Sequence, residues 1–348
     1  MSSTFGAGSM TERKRKASSA SMPRGTRPAM ACAVITAVLL GLAGCGGGGG
    51  GGEQGAGKVD VTIGLVPVAT VSPIYLGIEK GFFAQEGLNV TPRISSGGAE
   101  VVPSVISGDA DVGFSNSVSL LLAGAKGLPI RILNSASGEA PDGAKPEEIQ
   151  AKLFTAKDSS IRSAKDLKGK TVAVNTLDNI AEITARRALE KQGADLDRIK
   201  FMEVDFPEML TSLEAGQVDA AFLVEPFESQ ATERGHHAVA SPYYDTMPGL
   251  ATTNYFVSEE YAKKNPEVVD RIARAINRSQ RYAAEHPDEA RAMLPKYTEI
   301  PKELIPDISF GAFPTGGVDM ESLQVLADLM GRYGVIEERP NIQDLVQD

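Results

Sequence analysis

The chain has 348 residues, 42% of them hydrophobic and 23% charged, an ordinary globular composition with length enough for two domains. Its formal net charge is −10; residues 1–44 hold six Lys/Arg and a single acid, Glu12, so the remainder stands at −15. That surface argues against a nucleic-acid partner, whose phosphates must be neutralised by Lys and Arg. Both cysteines, Cys32 and Cys45, fall in the first 45 residues, which removes disulfides, cysteine zinc sites and thiol nucleophiles from the body of the chain.

Residues 1–44 read as a secretory signal: a basic start, then an apolar run from Ala29 to Gly44 that closes on small residues. The run is 16 residues long, short of the about 20 that span a bilayer as a helix. Leu42-Ala43-Gly44-Cys45 resembles a bacterial lipobox, which implies that Cys45 is lipidated and becomes the mature N-terminus. Residues 45–57, nearly all glycine at first, read as a flexible tether reaching about 20 Å.

Alternation of Val59, Val61, Ile63 and Leu65 predicts an opening strand. A short helix over 74–80, a strand over 89–94 and a helix over 99–106 follow. Gly108 then stops the chain's helix and a strand over 112–114 delivers Ser115, Asn116 and Ser117 at its end. The same unit returns 108 residues later: helix 209–214, a stop at Gly216, and a strand over 220–224 that ends at Glu225. Gly108 matches Gly216, Asp111 matches Asp219, and Phe114 matches Phe222. Two such units predict two similar α/β lobes facing one cleft, since ligands of open α/β sheets bind beyond the carboxyl ends of strands. Strands over 130–134, 152–156, 171–174 and 199–204 and a helix over 180–192 complete the alternation, with the chain crossing back near 238–241. The polar, proline-bearing stretch 138–150 carries no readable role. Asn265-Pro266-Glu267 reads as a capped helix start, and Val269, Ile272, Ile276 and Ala283 keep one apolar face on helical spacing. This helix and those starting at Pro287 and Asp319 are expected outside the first lobe.

Five motifs, in this order along the chain, resemble one family. They are Gly81-Phe-Phe-Ala-Gln-Glu-Gly-Leu-Asn-Val90, Ser95-Ser-Gly-Gly98, Ser107–Phe114, Asp166-Leu-Lys-Gly-Lys-Thr-Val-Ala-Val174 and Gly216-Gln-Val-Asp-Ala-Ala-Phe222. The resemblance, over about residues 59–336, is to the periplasmic binding proteins that serve ABC importers of nitrate, sulfonates, taurine and thiamine-precursor pyrimidines. It implies the type II binding-protein fold, two lobes of mainly parallel sheet flanked by helices and joined by two crossover strands. The corresponding division is 58–135 plus 241–348 for lobe one and 136–240 for lobe two. It implies no single solute, because specificity lives in the cleft.

Strand-end loops nominate the cleft residues. Lobe one offers Thr70, Ser72, Tyr75, Gly97, Gly98, Ser115, Asn116 and Ser117; lobe two offers Asn175, Thr176, Asn179 and Glu225; Asn254 follows the return crossover. Gly97-Gly98 before a helix presents backbone N–H groups to an electron-rich group, or is a plain tight turn. Ser115–Ser117 contacts the ligand or caps the next helix. Glu225 prefers an amine or ring N–H, or else serves as an acid in a helix's first turn. No nominated residue is Arg or Lys, which tilts the expected solute towards a nitrogen-bearing organic molecule. His236 and His237 are adjacent and share no helical face, so no metal site is expected, nor any cofactor.

The expected function is therefore a lipid-anchored, monomeric receptor outside the cytoplasmic membrane that closes on a small solute and presents it to an ABC permease. Two other classes stay open. One is an enzyme of the thiamine-pyrimidine type on the same fold, disfavoured by the missing cysteines; the other is a sensor for a signalling partner.

Overall fold

The computed structural model describes residues 58–95 and 97–347. The predicted signal, Cys45 and the tether lie outside the described residues.

Two five-stranded sheets organise the chain. The first takes β1 (Val59–Leu65), β2 (Leu88–Ile94), β3 (Val112–Asn116), β4 (Ile130–Gly138) and, much later, β10 (Ala251–Ser258), in the order β2-β1-β3-β10-β4. The second takes β5 (Lys152–Thr155), β6 (Thr171–Val174), β7 (Lys200–Glu203), β8 (Ala220–Leu223) and β9 (His237–Ala240), in the order β7-β6-β8-β5-β9. The two orders are the same pattern: three parallel strands, then a strand arriving from the other sheet, antiparallel to both its neighbours. Each sheet is therefore mixed, because the arriving strand runs back against the three that form the strand–helix–strand units. The result is the two-lobed α/β architecture that the motifs imply.

In β1, Val61, Ile63 and Leu65 are buried as the alternation predicts. Gly64 between them is buried too, because the helix Gly98–Ser107 covers the other face: a Cβ there would meet Val101 at 3.0 Å. Central parallel strands are covered on both faces, so alternation fades in them.

The two matched units are built alike. Gly108 and Gly216 take φ of +81° and +68°, a region that costs glycine nothing. Asp111 then bonds twice to Thr62 on the adjacent strand: its Oδ2 accepts from the Thr62 N–H at 2.8 Å, and its own N–H donates to the Thr62 carbonyl. Asp219 does the same to Thr171, with its Oδ2 2.9 Å from the backbone nitrogen. Each aspartate pins the start of its strand to a parallel neighbour.

The predicted apolar face of the helix Pro266–Glu285 is buried at Val269, Ile272, Ile276 and Ala283. Gln280 anchors it to the first sheet, donating to the carbonyls of Ser135 and Ala136 at 3.0 and 2.9 Å. Asn265 precedes this helix but does not cap it with its side chain, which donates to the Tyr261 carbonyl instead.

Two connections join the sheets, 139–151 outward and 241–250 back. They are bonded to each other: the Glu139 N–H donates to the Leu250 carbonyl and the Gly249 N–H to the Ala140 carbonyl, both at 2.8 Å. The polar stretch 138–150 that resists sequence reading is the outward connection.

Candidate functional site

All six parallel strands point their carboxyl ends at one cleft. From the first sheet come Val66, Val68 and Thr70 after β1, Gly97 after β2, and Phe114, Ser115 and Asn116 in β3. From the second come Asn175 after β6, Phe206 after β7, and Val224 and Glu225 after β8, with Ile180 opening the helix Ile180–Lys191. The floor is made by the connections and the strand ends beside them: Ser137 and Gly138 of β4, Gln150 and Tyr243 of the connections, and Thr252 and Thr253 of β10. This is the location that strand polarity dictates.

Of the residues nominated from sequence, Thr70, Gly97, Ser115, Asn116, Asn175 and Glu225 line the cleft. Asn116 also caps the helix Ser117–Ala125, its Oδ1 accepting from the Ser119 N–H at 2.9 Å.

The others are placed elsewhere. Ser117 and Asn254 are buried on each other: the Asn254 side-chain N–H donates to the Ser117 hydroxyl at 2.9 Å, and that hydroxyl donates to the Ala251 carbonyl. These bonds tie the start of the helix Ser117–Ala125 to β10. Tyr75 stacks on Tyr297 with ring centroids 4.4 Å apart, and Ser72 is buried at the start of the helix Ser72–Glu79. Gly98 is the first residue of its helix, capped by Gly97. Thr176 accepts from the Asn175 side chain at 3.4 Å. Asn179 caps the helix Ile180–Lys191 through its Oδ1 and reaches across the gap between the sheets, donating to the Ser119 hydroxyl at 2.9 Å.

Sequence reasoning missed the residues of the floor. Strand-end logic finds loops after strands, whereas Ser137 and Gly138 lie at the end of β4, Thr252 and Thr253 near the start of β10, and Gln150 and Tyr243 between the sheets. The signals were the small polar runs Ser135–Gly138 and Thr252–Asn254 beside the crossovers.

The electrostatics of the cleft are set by what lies beneath it. Glu139, Glu225 and Glu228 are all buried and Lys152 supplies the one ammonium that pairs directly with them, at Glu228. Burial first, then the neighbouring Glu228, pushes the Glu225 carboxyl upward. Burial likewise raises Glu139 to about 7, against the lowering effect of the N–H groups of Gln150 and Ala140 that it accepts. The expectation of a bare carboxylate at 225 changes accordingly. Its oxygens accept from the Ser229 hydroxyl at 2.8 Å and the Ser229 N–H at 3.2 Å, while burial and Glu228 favour its protonated form. None of the lining residues is Lys, Arg or His. The cleft offers hydroxyls, amides and one raised acid among aliphatic and aromatic walls.

His236 lies outside the cleft with both ring nitrogens engaged. Nδ1 accepts from the Lys157 N–H at 3.2 Å, and Nε2 lies 3.3 Å from a Glu214 carboxylate oxygen.

A family profile described as NMT1/THI5 like matches residues 69–290. The chain is 24% identical over 257 residues to the putative binding protein YtlA of Bacillus subtilis, covering 71% of this chain and 74% of that one. It is 23% identical over 316 residues to the formylaminopyrimidine-binding protein of Halalkalibacterium halodurans, covering 86% and 92%. Among solved structures it is similar to the alkanesulfonate-binding protein SsuA of Xanthomonas axonopodis pv. citri bound to MOPS. That superposition has a TM-score of 0.68 and 20% identity, and spans 84% of this chain and 99% of that one. The profile spans every strand after β1, both connections between the sheets and the long helix Pro266–Glu285, so the chain belongs to the NMT1/THI5-like family.

Proposed function

We propose that the protein is an extracytoplasmic solute receptor of an ABC importer, anchored to the membrane through a lipid on Cys45. In this reading it is not an enzyme. It acts as a monomer of two lobes, 58–135 plus 241–348 and 136–240, which close on the solute and present it to a membrane permease. The observation that carries the reading is the cleft, whose walls come from the strand ends of two sheets that the chain links through a pair of adjacent connections. The binding proteins among its relatives support it, and the chain's acidic body suits no nucleic acid.

The solute we favour is uncharged, ring-bearing and rich in hydrogen-bonding atoms, of the pyrimidine class named for the Halalkalibacterium relative in preference to a sulfonate, taurine or nitrate. No cationic side chain lines the cleft to offset a buried anion, while Phe114, Phe206 and Tyr243 are among its lining residues. Backbone N–H groups at Gly97 are the one feature suited to an anion.

A thermal-shift screen of the full chain tests this, after any co-purified ligand is stripped, with formylaminopyrimidine, cytosine, taurine, ethanesulfonate and nitrate. A ligand at 100 times its Kd adds about 2.7 kcal/mol, a rise of several degrees. A pyrimidine hit supports the reading. A sulfonate or nitrate hit alone keeps the receptor and discards the ligand class. For the anchor, the wild-type chain should sediment with membranes and Cys45→Ser should not.

A further inference from the structure

Among the described residues, one buried side-chain nitrogen has no hydrogen-bond partner, Nε2 of Gln150. Gln150 is only 7% exposed, and it lines the cleft. A buried amide donor without an acceptor is rare in folded proteins because the lost hydration is not replaced. Among the described residues none bonds to the amide's oxygen either, so turning the amide over gives its N–H no acceptor among them.

The backbone around this side chain is held from three directions. Glu139 accepts the Gln150 N–H with both carboxyl oxygens, at 2.9 and 3.2 Å. Ala151, next in sequence, sits at φ +53°, an unusual conformation for a residue with a side chain. Lys152 follows, donating to the Ile149 carbonyl at 3.1 Å while paired with buried Glu228. On the other side Gly311 leaves the side chain its room, since a Cβ there would lie 2.7 Å from Gln150 Cγ. A donor carried on so constrained a stretch of backbone, with no partner among the described residues, suits a group that arrives from outside.

We propose that Gln150 is a specificity-determining residue that donates its N–H to an uncharged acceptor of the bound solute, a carbonyl oxygen or ring nitrogen. The proposal rests on the receptor reading above. An uncharged acceptor fits because the cleft has no cationic side chain and because Glu225 is itself raised towards its protonated form. Gln150 lies on the outward connection, so the solute it holds touches the hinge as well as the two walls.

Isothermal titration of the full chain, wild type and Gln150→Met, with formylaminopyrimidine and with ethanesulfonate tests it. The wild type should bind formylaminopyrimidine, and Gln150→Met should bind it about tenfold more weakly with an unchanged Tm in the absence of ligand. Equal affinity in the two proteins overturns the proposal. Binding of ethanesulfonate alone overturns it and leaves the receptor standing, whereas binding of neither probe overturns the acceptor assignment and counts against the receptor. If Gln150→Met does not fold, Gln150→Glu carries the test: it keeps the shape, replaces the donor by an acceptor, and should lose at least as much affinity.

Discussion

Asn179 and Ser119 belong to helices on different sheets, and the Asn179 side chain donates to the Ser119 hydroxyl at 2.9 Å. With the bond from the Ala69 N–H to the Glu225 carbonyl at 3.1 Å, it closes the rim of the cleft from both sides. Such bonds exist only with the sheets drawn together. Ser119→Ala removes this acceptor while leaving the backbone N–H that Asn116 caps. We expect it to disfavour the closed arrangement by about 1 kcal/mol, roughly fivefold. Small-angle scattering should report a larger radius for the variant, and an unchanged radius would remove Asn179–Ser119 from the closing contacts.

The paired aspartates predict a matched loss. Asp111→Ala and Asp219→Ala each strip a charged acceptor from a strand N–H, and each should cost about 2 kcal/mol in urea unfolding. The Lys170 partner of Asp219 is substantially exposed and adds little. A large cost in one sheet and none in the other would contradict equivalent roles.

Glu139 predicts a pH dependence. Its folded value of about 7 lies above its ordinary one of 4.5, so the folded protein holds this proton more tightly than the unfolded chain. The stability it contributes is complete below about pH 4.5 and is lost as pH rises through about 7, about 3 kcal/mol in all. Glu139→Gln keeps an oxygen for the N–H groups of Ala140 and Gln150 and should flatten this part of the stability profile. Unfolding curves between pH 4.5 and 8 check it, and an unaltered slope would show that Glu139 ionises freely.

Gly311 has φ +62°, and a Cβ would approach the Gly138 carbonyl oxygen to 2.5 Å as well as crowding Gln150. Gly311→Ala should lose about 2 kcal/mol or more, read as a lower Tm, and weaken any ligand held at the cleft floor.

These features differ in how far the sequence disclosed them. Gly108, Gly216, Asp111 and Asp219 were visible because a local turn repeats with its spacing intact, and local turns are written in neighbouring residues. Six of the nominated residues reached the cleft on strand polarity alone. Ser117 and Asn254 did not, because a side-chain hydrogen bond between the start of the helix Ser117–Ala125 and β10 joins them across 137 residues and buries both. Gln150 and Tyr243 were hidden for the same reason: they become cleft residues only when two connections, distant in sequence, are laid side by side. The raised pKa of Glu225 was equally out of reach, since burial is a property of the packed molecule.

The two connections have one more consequence. β1 begins the described chain in the first sheet, and at its far end Val346 pairs with Ile132 of that same sheet, with the Gln347 N–H donating to the Ile132 carbonyl. Neither end of the described chain enters the second sheet, which is topologically a single excursion leaving near residue 139 and returning near residue 250. The second sheet and its share of the cleft lining thus enter the fold as one insertion with two adjacent splice points.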